Sequence, residues 1–351
     1  METTFTIGSR LLRPEDPPFI VAEIGVNHNG DLDLALRSID AAAACGVDAV
    51  KFQTFRAEEF MADPDHPYEY ENRGEKVRES MYEMFKRLEL PESWHERLKR
   101  HSEEQGLAFL SSAADPLSAE LLRDLGVPLL KLASEDLVNL PLLTHVGGLG
   151  LPVILSTGMG DETEISRALD ALRQQGCEQI LLLHCVSLYP TPDDQVNLTR
   201  MMALQKRYSL PVGYSDHSRG IEASIVATAL GALLVEKHFT LDCNLPGPDH
   251  ALSADPEEMA SLVRAVHKAA LQRGSDAIEP SPGEREARLA FRRSIVAGTA
   301  LPPGRVLRET DLLLKRPGTG LAPHLLESYI GKKLKRALAP NEQLRAEDVE
   351  E

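Results

Sequence analysis

Between residues 19 and 242 the chain alternates short apolar runs with stretches of helical pattern, and eight of the runs read as strands. They are FIVAEIGVN (Phe19 to Asn27), AVKFQTF (Ala49 to Phe55), AFLSSAAD (Ala108 to Asp115), LLKLASED (Leu129 to Asp136), PVILSTGM (Pro152 to Met159), ILLLHCVS (Ile180 to Ser187), PVGYSDHS (Pro211 to Ser218) and LVEKHFTLD (Leu234 to Asp242). Most finish in polar or charged residues that a buried strand would not choose. Eight β-then-α units predict a closed parallel (β/α)8 TIM barrel, in which the carboxyl ends of the strands form one rim and chemistry sits on that rim. The polar tips then converge in space although they are scattered in sequence.

The intervening helices carry start and stop signals. Leu32 to Cys45 is Ala-rich and runs into Gly46; Pro116 to Leu125 stops at Gly126, and Glu162 to Gln175 at Gly176. Asp255-Pro256-Glu257-Glu258 reads as a helix start, followed by an apolar face of Met259, Leu262, Val263 and Val266. One connection is long: Arg56 to Gln105 holds an acidic, Tyr-bearing stretch (DPDHPYEYENRGE) and two helical patterns. Such a loop at a barrel rim is a candidate lid or binding loop, against the plainer reading of a surface excursion. The texture changes again near Ser275. The expected organisation is a barrel over residues 1–276, a polar, Pro-bearing linker over 277–290, and a small β-rich domain over 291–351 that is marginal alone and docks on its own barrel or a partner's.

Composition narrows the function. The 351 residues carry 38 Lys and Arg against 54 Asp and Glu, a net charge of −16. That balance argues against general nucleic-acid or anionic-membrane binding, which needs a basic face. It leaves an anionic substrate open, because a few local lysines overrule the global field. The four cysteines (Cys45, Cys177, Cys185 and Cys243) form no CxxC pair and read as reduced thiols of a cytoplasmic protein. Neither a signal peptide nor an apolar run of membrane-spanning length is expected.

The candidate chemistry lies at the strand tips. His217 and His238 sit on the seventh and eighth units, neighbours in a closed barrel. Any single histidine is more often a satisfied polar side chain; the placement of the pair is what points to a shared divalent ion, with substrate or water in its other positions. Glu23, on the adjoining first strand, is placed to hold a water or act as a base. Lys51 and Lys131 lie inside apolar strands, which is costly without a partner. Three readings stand: an anionic ligand such as a phosphate or carboxylate, which is favoured; a Schiff-base lysine; or a buried Lys–Glu pair with Glu23 or Glu236. Ser112, Ser134, Ser156 and Ser215 add hydroxyls, and Gln53, Tyr189, Asp216 and Asp249 complete the polar set. His184 and Cys185 are adjacent on a strand and point to opposite faces, so they make no dyad, although His184 remains a candidate for the cavity.

In this order these residues resemble the N-acetylneuraminate (sialic acid) synthase family, which includes legionaminate and pseudaminate synthases and spore-coat polysaccharide proteins. The segments that carry the likeness are AEIGVNHNGD (22–31), VKFQTF (50–55), KLASED (131–136), LSTGM (155–159), LLHCVSLYPTP (182–192), GYSDHSRG (213–220), EKHFTLD (236–242) and GPDHALSADPEEM (247–259). The tail, through RRSIVA, DLLLKRPGTG and IGKKL, resembles the family's antifreeze-like (SAF) domain. The resemblance implies condensation of phosphoenolpyruvate with an N-acetylmannosamine-type sugar and water, giving a nine-carbon 2-keto acid and phosphate. It implies manganese or magnesium on His217 and His238, with Glu23 orienting the water. Lys51, Gln53, Ser112, Lys131, Ser134, Ser156 and Ser215 would hold phosphoenolpyruvate. Asp136, Ser187, Tyr189 and Asp249 would face the sugar. Arg316 would reach the sugar's amide from the partner of a domain-swapped homodimer.

Two positions depart from the sialic acid members: Ser187 stands where those often carry Asn, and Asp136 where they carry Glu. These differences leave the reaction class intact and bear on the sugar, so a 2,4-diacetamido-2,4,6-trideoxy hexose is an alternative substrate. Remoter alternatives are a Schiff-base pyruvate aldolase and a binding protein whose tail recognises ice or glycan.

Overall fold

The structure, a computed structural model, describes residues 4–72 and 75–350. It divides into two compact units, Met1–Ser275 and Asp276–Glu351. The first is a closed barrel of eight parallel strands: β1 (Phe19–Gly25), β2 (Ala49–Thr54), β3 (Ala108–Ala113), β4 (Leu130–Leu132), β5 (Val153–Ser156), β6 (Ile180–His184), β7 (Val212–Asp216) and β8 (Leu234–His238). They follow one another round the barrel in chain order, and β8 closes on β1. The strands are buried almost throughout, which is why they read as continuous apolar runs. Several stop before their polar tips, because those tips turn at the rim. Residues past β4 wind into a 3-10 turn (Ser134–Val138), and Asp115, past β3, caps the helix Pro116–Leu125 by accepting from Ser118 N at 2.8 Å.

Period-two alternation sorts the strand residues between two cores. Ile20, Ala22, Ile24, Val50, Phe52, Phe109, Leu130, Leu132, Val153, Leu155, Leu182, Val212 and Val235 pack outward with the surrounding helices. Phe19, Val21, Ala49, Leu110, Leu129, Ile154, Leu181, Leu183 and Leu234 pack inward and fill the lower barrel. An N-terminal hairpin (Phe5–Ile7 and Arg10–Leu12) joins this inner core through Phe5, Ile7 and Leu12. Continuing each inward row toward the rim gives Glu23 above Val21, Lys51 above Ala49, Ser112 above Leu110, Lys131 above Leu129, Ser156 above Ile154, and Glu236 then His238 above Leu234. The pocket is thus the polar upper layer of the barrel's own filling.

The long connection after β2 is structured. It forms an antiparallel hairpin (Pro67–Asn72 with Glu75–Ser80) and the helices Met81–Leu88 and Glu92–Glu104. Arg73 and Gly74, within the stretch read as a candidate lid, lie outside the described residues. In the second unit, the stretch expected as a linker carries a helix, Pro282–Phe291, started by a Ser281–Glu284 capping box. A two-stranded sheet (Ser294–Ala297 with Leu312–Lys315) then packs a small core of Ile295, Ala297, Leu301, Leu307, Leu312, Leu334, Leu338, Leu344 and Val349.

Candidate active site

At the rim, two lysines and two glutamates meet inside the barrel. Lys51 Nζ lies 2.7 Å from Glu23 Oε2 and 3.9 Å from Glu236 Oε1; Lys131 Nζ lies 3.9 Å from the same Glu236 oxygen. All four side chains are buried. Gln53 Nε2 donates to Glu23 Oε1 (3.0 Å), Lys131 Nζ to Ser156 Oγ (2.8 Å) and Ser215 Oγ to Glu236 Oε1 (3.0 Å). Register explains the convergence: Glu23 pairs Lys51, Gln53 pairs Ser112, Ser112 pairs Lys131, and Ser215 pairs Glu236 on neighbouring strands.

The two carboxyls are driven apart. Burial raises Glu23 to about 7, against the pull of Lys51. Burial works the same way on Glu236, but Lys131 and Lys51 outweigh it and hold that carboxyl below its ordinary value. Burial also depresses Lys131, whereas on Lys51 the pull of Glu23 and Glu236 overcomes burial and raises it. Near neutral pH the cluster therefore has one firm carboxylate, one carboxyl able to take or release a proton, and cationic capacity for an anion.

Glu23 is aimed by a local irregularity. The β1–β2 register shifts between Glu23 and Gly25, and Gly25 sits at φ +53°. A Cβ there would lie 3.0 Å from Glu23 Oε1 and 3.2 Å from Gln53 Nε2, so the turn requires glycine for both conformation and space.

His217 and His238 face the same pocket, their rings 5.7 Å apart. His217 Nδ1 is 2.8 Å from the Val186 carbonyl oxygen. A carbonyl only accepts, so Nδ1 carries the proton and Nε2 keeps its lone pair. His238 Nδ1 is buried without a hydrogen-bond partner, 3.7 Å from Asp249 Oδ2. Burial lowers both imidazoles, His238 strongly, so both are neutral near pH 7. Two neutral, adjacent imidazoles beside a carboxyl fit a divalent ion whose remaining positions are taken by substrate and water. Among the described residues no group of three or more His, Cys, Asp or Glu is arranged as a complete ligand set, which restricts that fit to an open site.

Glu23, Lys51, Gln53, Ser112, Lys131, Ser134, Asp136, Ser156, Tyr189, Ser215, His217 and His238 all line one pocket. The Tyr189 ring lies 4.3 Å from that of His217. Burial raises Asp136 to about 6, and Asn139 Nδ2 donates to it. Asp249 and Ser187 are not among the lining residues. Asp249 stands behind His238, and Ser187 Oγ is buried with no partner beneath Gly158, where a Cβ would meet it at 2.4 Å. Arg316 belongs to the second unit, its guanidinium 5.5 Å above the Phe291 ring.

Two expectations are corrected. Asp216 is buried but faces away from the pocket, 3.3 Å from Lys237 Nζ, because it alternates with the inward Ser215 and His217. His184 also points outward, stacked on Tyr214 and 2.8 Å from the Val196 carbonyl. Sequence reasoning named Glu236 only as a partner for a lysine and missed Phe55 and Phe85 as lining residues. The signal for Glu236 was available: it lies two residues before His238 and so shares its inward face.

The NeuB family profile matches residues 38–277, and a SAF domain profile matches residues 292–350. The chain belongs to the NeuB family. It is a sialic-acid-synthase-like enzyme with a SAF domain. It is 41% identical to the N,N'-diacetyllegionaminic acid synthase of Legionella pneumophila over 95% of this chain and 94% of the relative. It is 39% identical to the Campylobacter jejuni protein of the same name, over 93% and 98%. Among solved structures, an N-acetylneuraminic acid (sialic acid) synthetase from Leptospira borgpetersenii is 36% identical with a TM-score of 0.74, covering 82% of this NeuB-family chain and 95% of that one. Among the described residues, no helix is long and apolar enough to cross a membrane.

Proposed function

We propose that this NeuB-family enzyme condenses phosphoenolpyruvate with an N-acetylated amino hexose of the N-acetylmannosamine type, consuming water and releasing phosphate and a sialic-acid-like nonulosonic acid. The observation that carries the reading is the meeting of two neutral imidazoles with two lysines and a carboxyl near pH 7 in one rim pocket. Lys51 and Lys131, with the hydroxyls of Ser112, Ser134, Ser156 and Ser215, bind the carboxylate and phosphate of phosphoenolpyruvate. Manganese or magnesium held by His217 and His238 would supply Lewis-acid polarisation of the sugar aldehyde. Carbon 3 of the enol phosphate attacks that carbon, whose oxygen takes up a proton to become a hydroxyl. Water adds at carbon 2 and gives one proton to the carboxylate of Glu23, fixed by Gln53 and Lys51. The hemiketal phosphate then breaks its carbon 2–oxygen bond, expelling phosphate as the new hydroxyl loses its proton and becomes the keto group. Asp249 stands 3.7 Å from His238 Nδ1 without a hydrogen bond between them. Tyr189 and Asp136 face the sugar. Arg316 contributes from the partner of a domain-swapped homodimer, and the setting is the cytoplasm.

A second reading concerns the sugar alone. Two relatives of comparable length carry the name N,N'-diacetyllegionaminic acid synthase, which favours a 2,4-diacetamido-2,4,6-trideoxy hexose. Phosphate release from phosphoenolpyruvate is the test, measured with N-acetylmannosamine and with the diacetamido sugar, each with and without a chelator. Release that depends on sugar and metal is expected. No release with any N-acetylated hexose in the presence of manganese would remove the proposal, and a borohydride-trapped pyruvate adduct would redirect it to a Schiff-base aldolase.

A further inference from the structure

The pocket has two chemically different halves. One is made of the lysines, glutamates, serines and histidines described above. The other is apolar: Phe55, Phe85, Ala113 and Ala114. Phe55 follows β2, Ala113 ends β3 and Ala114 follows it, while Phe85 comes from the helix Met81–Leu88 of the inserted segment. The two rings meet edge to face, with centroids 5.4 Å apart. Phe55 forms, with Val26, Met84 and Leu88, a hydrophobic cluster separate from both barrel cores, and Phe85, Ala114 and the hairpin residues Tyr68 and Tyr70 pack against it. The segment after β2 thus adds Phe85 to the apolar part of an otherwise polar pocket lining.

Phosphoenolpyruvate has no use for that surface, because its only apolar group is the methylene that must reach the aldehyde. The wall is left to the second substrate. Resting on the function proposed above, the geometry points to Phe55 and Phe85 as a specificity-determining wall that receives a methyl group of the amino sugar. That methyl is the 6-deoxy carbon or the methyl of an acetamido group. A hydroxymethyl in its place would be stripped of water against aromatic carbon without a hydrogen-bond partner.

The test compares kcat/KM for the 6-deoxy and 6-hydroxy forms of the same N-acetylated hexose, and for N-acetyl and N-formyl forms, in wild type and in Phe85→Ala. The wild type is expected to prefer one methyl-bearing form by about 10-fold or more. Phe85→Ala brings that ratio toward one while leaving KM for phosphoenolpyruvate unchanged. The pair whose ratio moves identifies the methyl. Phe85→Tyr, which keeps the ring and adds a hydroxyl, carries the same test should the alanine variant not fold, and shifts preference toward the hydroxylated sugar. Turnover with both ratios unmoved in either folded variant overturns the wall alone. Absence of phosphate release from every sugar in the wild type overturns the parent function and the wall with it.

Discussion

Two buried lysine–carboxylate pairs bridge neighbouring strands of this barrel, and they have opposite fates. Lys237 and Asp216 lie 3.3 Å apart on the helix side of β7 and β8. Asp216 is saturated there: Ser218 N donates to it at 2.9 Å, Ser218 Oγ at 2.6 Å and Ser224 Oγ at 2.7 Å, while Lys237 donates to the Ser218 carbonyl. Lys51 and Glu23 lie 2.7 Å apart on the inner side, share Glu236, and open onto a cavity. The outer pair has spent its hydrogen-bonding capacity on the protein and fixes the chain on either side of His217. The inner pair retains capacity for a ligand, and its carboxyl sits where protons move near neutral pH. Burial of an ion pair alone does not mark a site; an unsaturated pair facing a cavity does.

The comparison breaks most sharply at the lysines. Lys51→Met should cost about 10²–10³-fold in kcat/KM, read by phosphate release on protein whose circular dichroism shows a folded barrel. Lys237→Met should act on stability instead, lowering the unfolding free energy by about 3–5 kcal/mol in urea, because Asp216 is left buried and unpaired. Adding Asp216→Leu to it should recover little of that loss, because Ser218 N, Ser218 Oγ and Ser224 Oγ then lose their buried acceptor. Loss of turnover in Lys237→Met at unchanged stability would erase the distinction between the pairs. Gly25→Ala should cost about 1–2 kcal/mol from its left-handed backbone, and turnover should fall with it because the new methyl crowds Glu23 and Gln53. The smallest effect is at Asp136, raised from 3.8 to about 6 by burial. The fold favours its neutral form, so its contribution is complete below about pH 4 and is lost as pH rises through 6. Asp136→Asn should match wild-type stability at pH 4 and exceed it at pH 8, by no more than the ~3 kcal/mol that a two-unit shift represents, measured by urea unfolding at both values.

The barrel was legible because parallel strands buried on both faces leave uninterrupted apolar runs, and because polar tips such as Glu23 and His238 have no other reason to end them. The inward set was legible wherever the period of two was followed along a strand. Where adjacency was read instead, Asp216 entered the site wrongly. Ser187 and Asp249 lie on rim turns, whose geometry no short-range pattern specifies. Phe55 and Phe85 were illegible for a different reason: an aromatic ring looks the same in sequence whether it fills a core or faces a ligand.

The N-terminal hairpin has a consequence for handling the protein. Phe5, Ile7 and Leu12 stopper the barrel at the end opposite the rim. Removing residues 4–12 would leave the barrel's filling in place but bare its lower apolar layer, residues such as Phe19 and Leu129, to solvent. A truncated protein would keep every catalytic side chain and its floor, but would lose stability and gain an apolar patch prone to self-association.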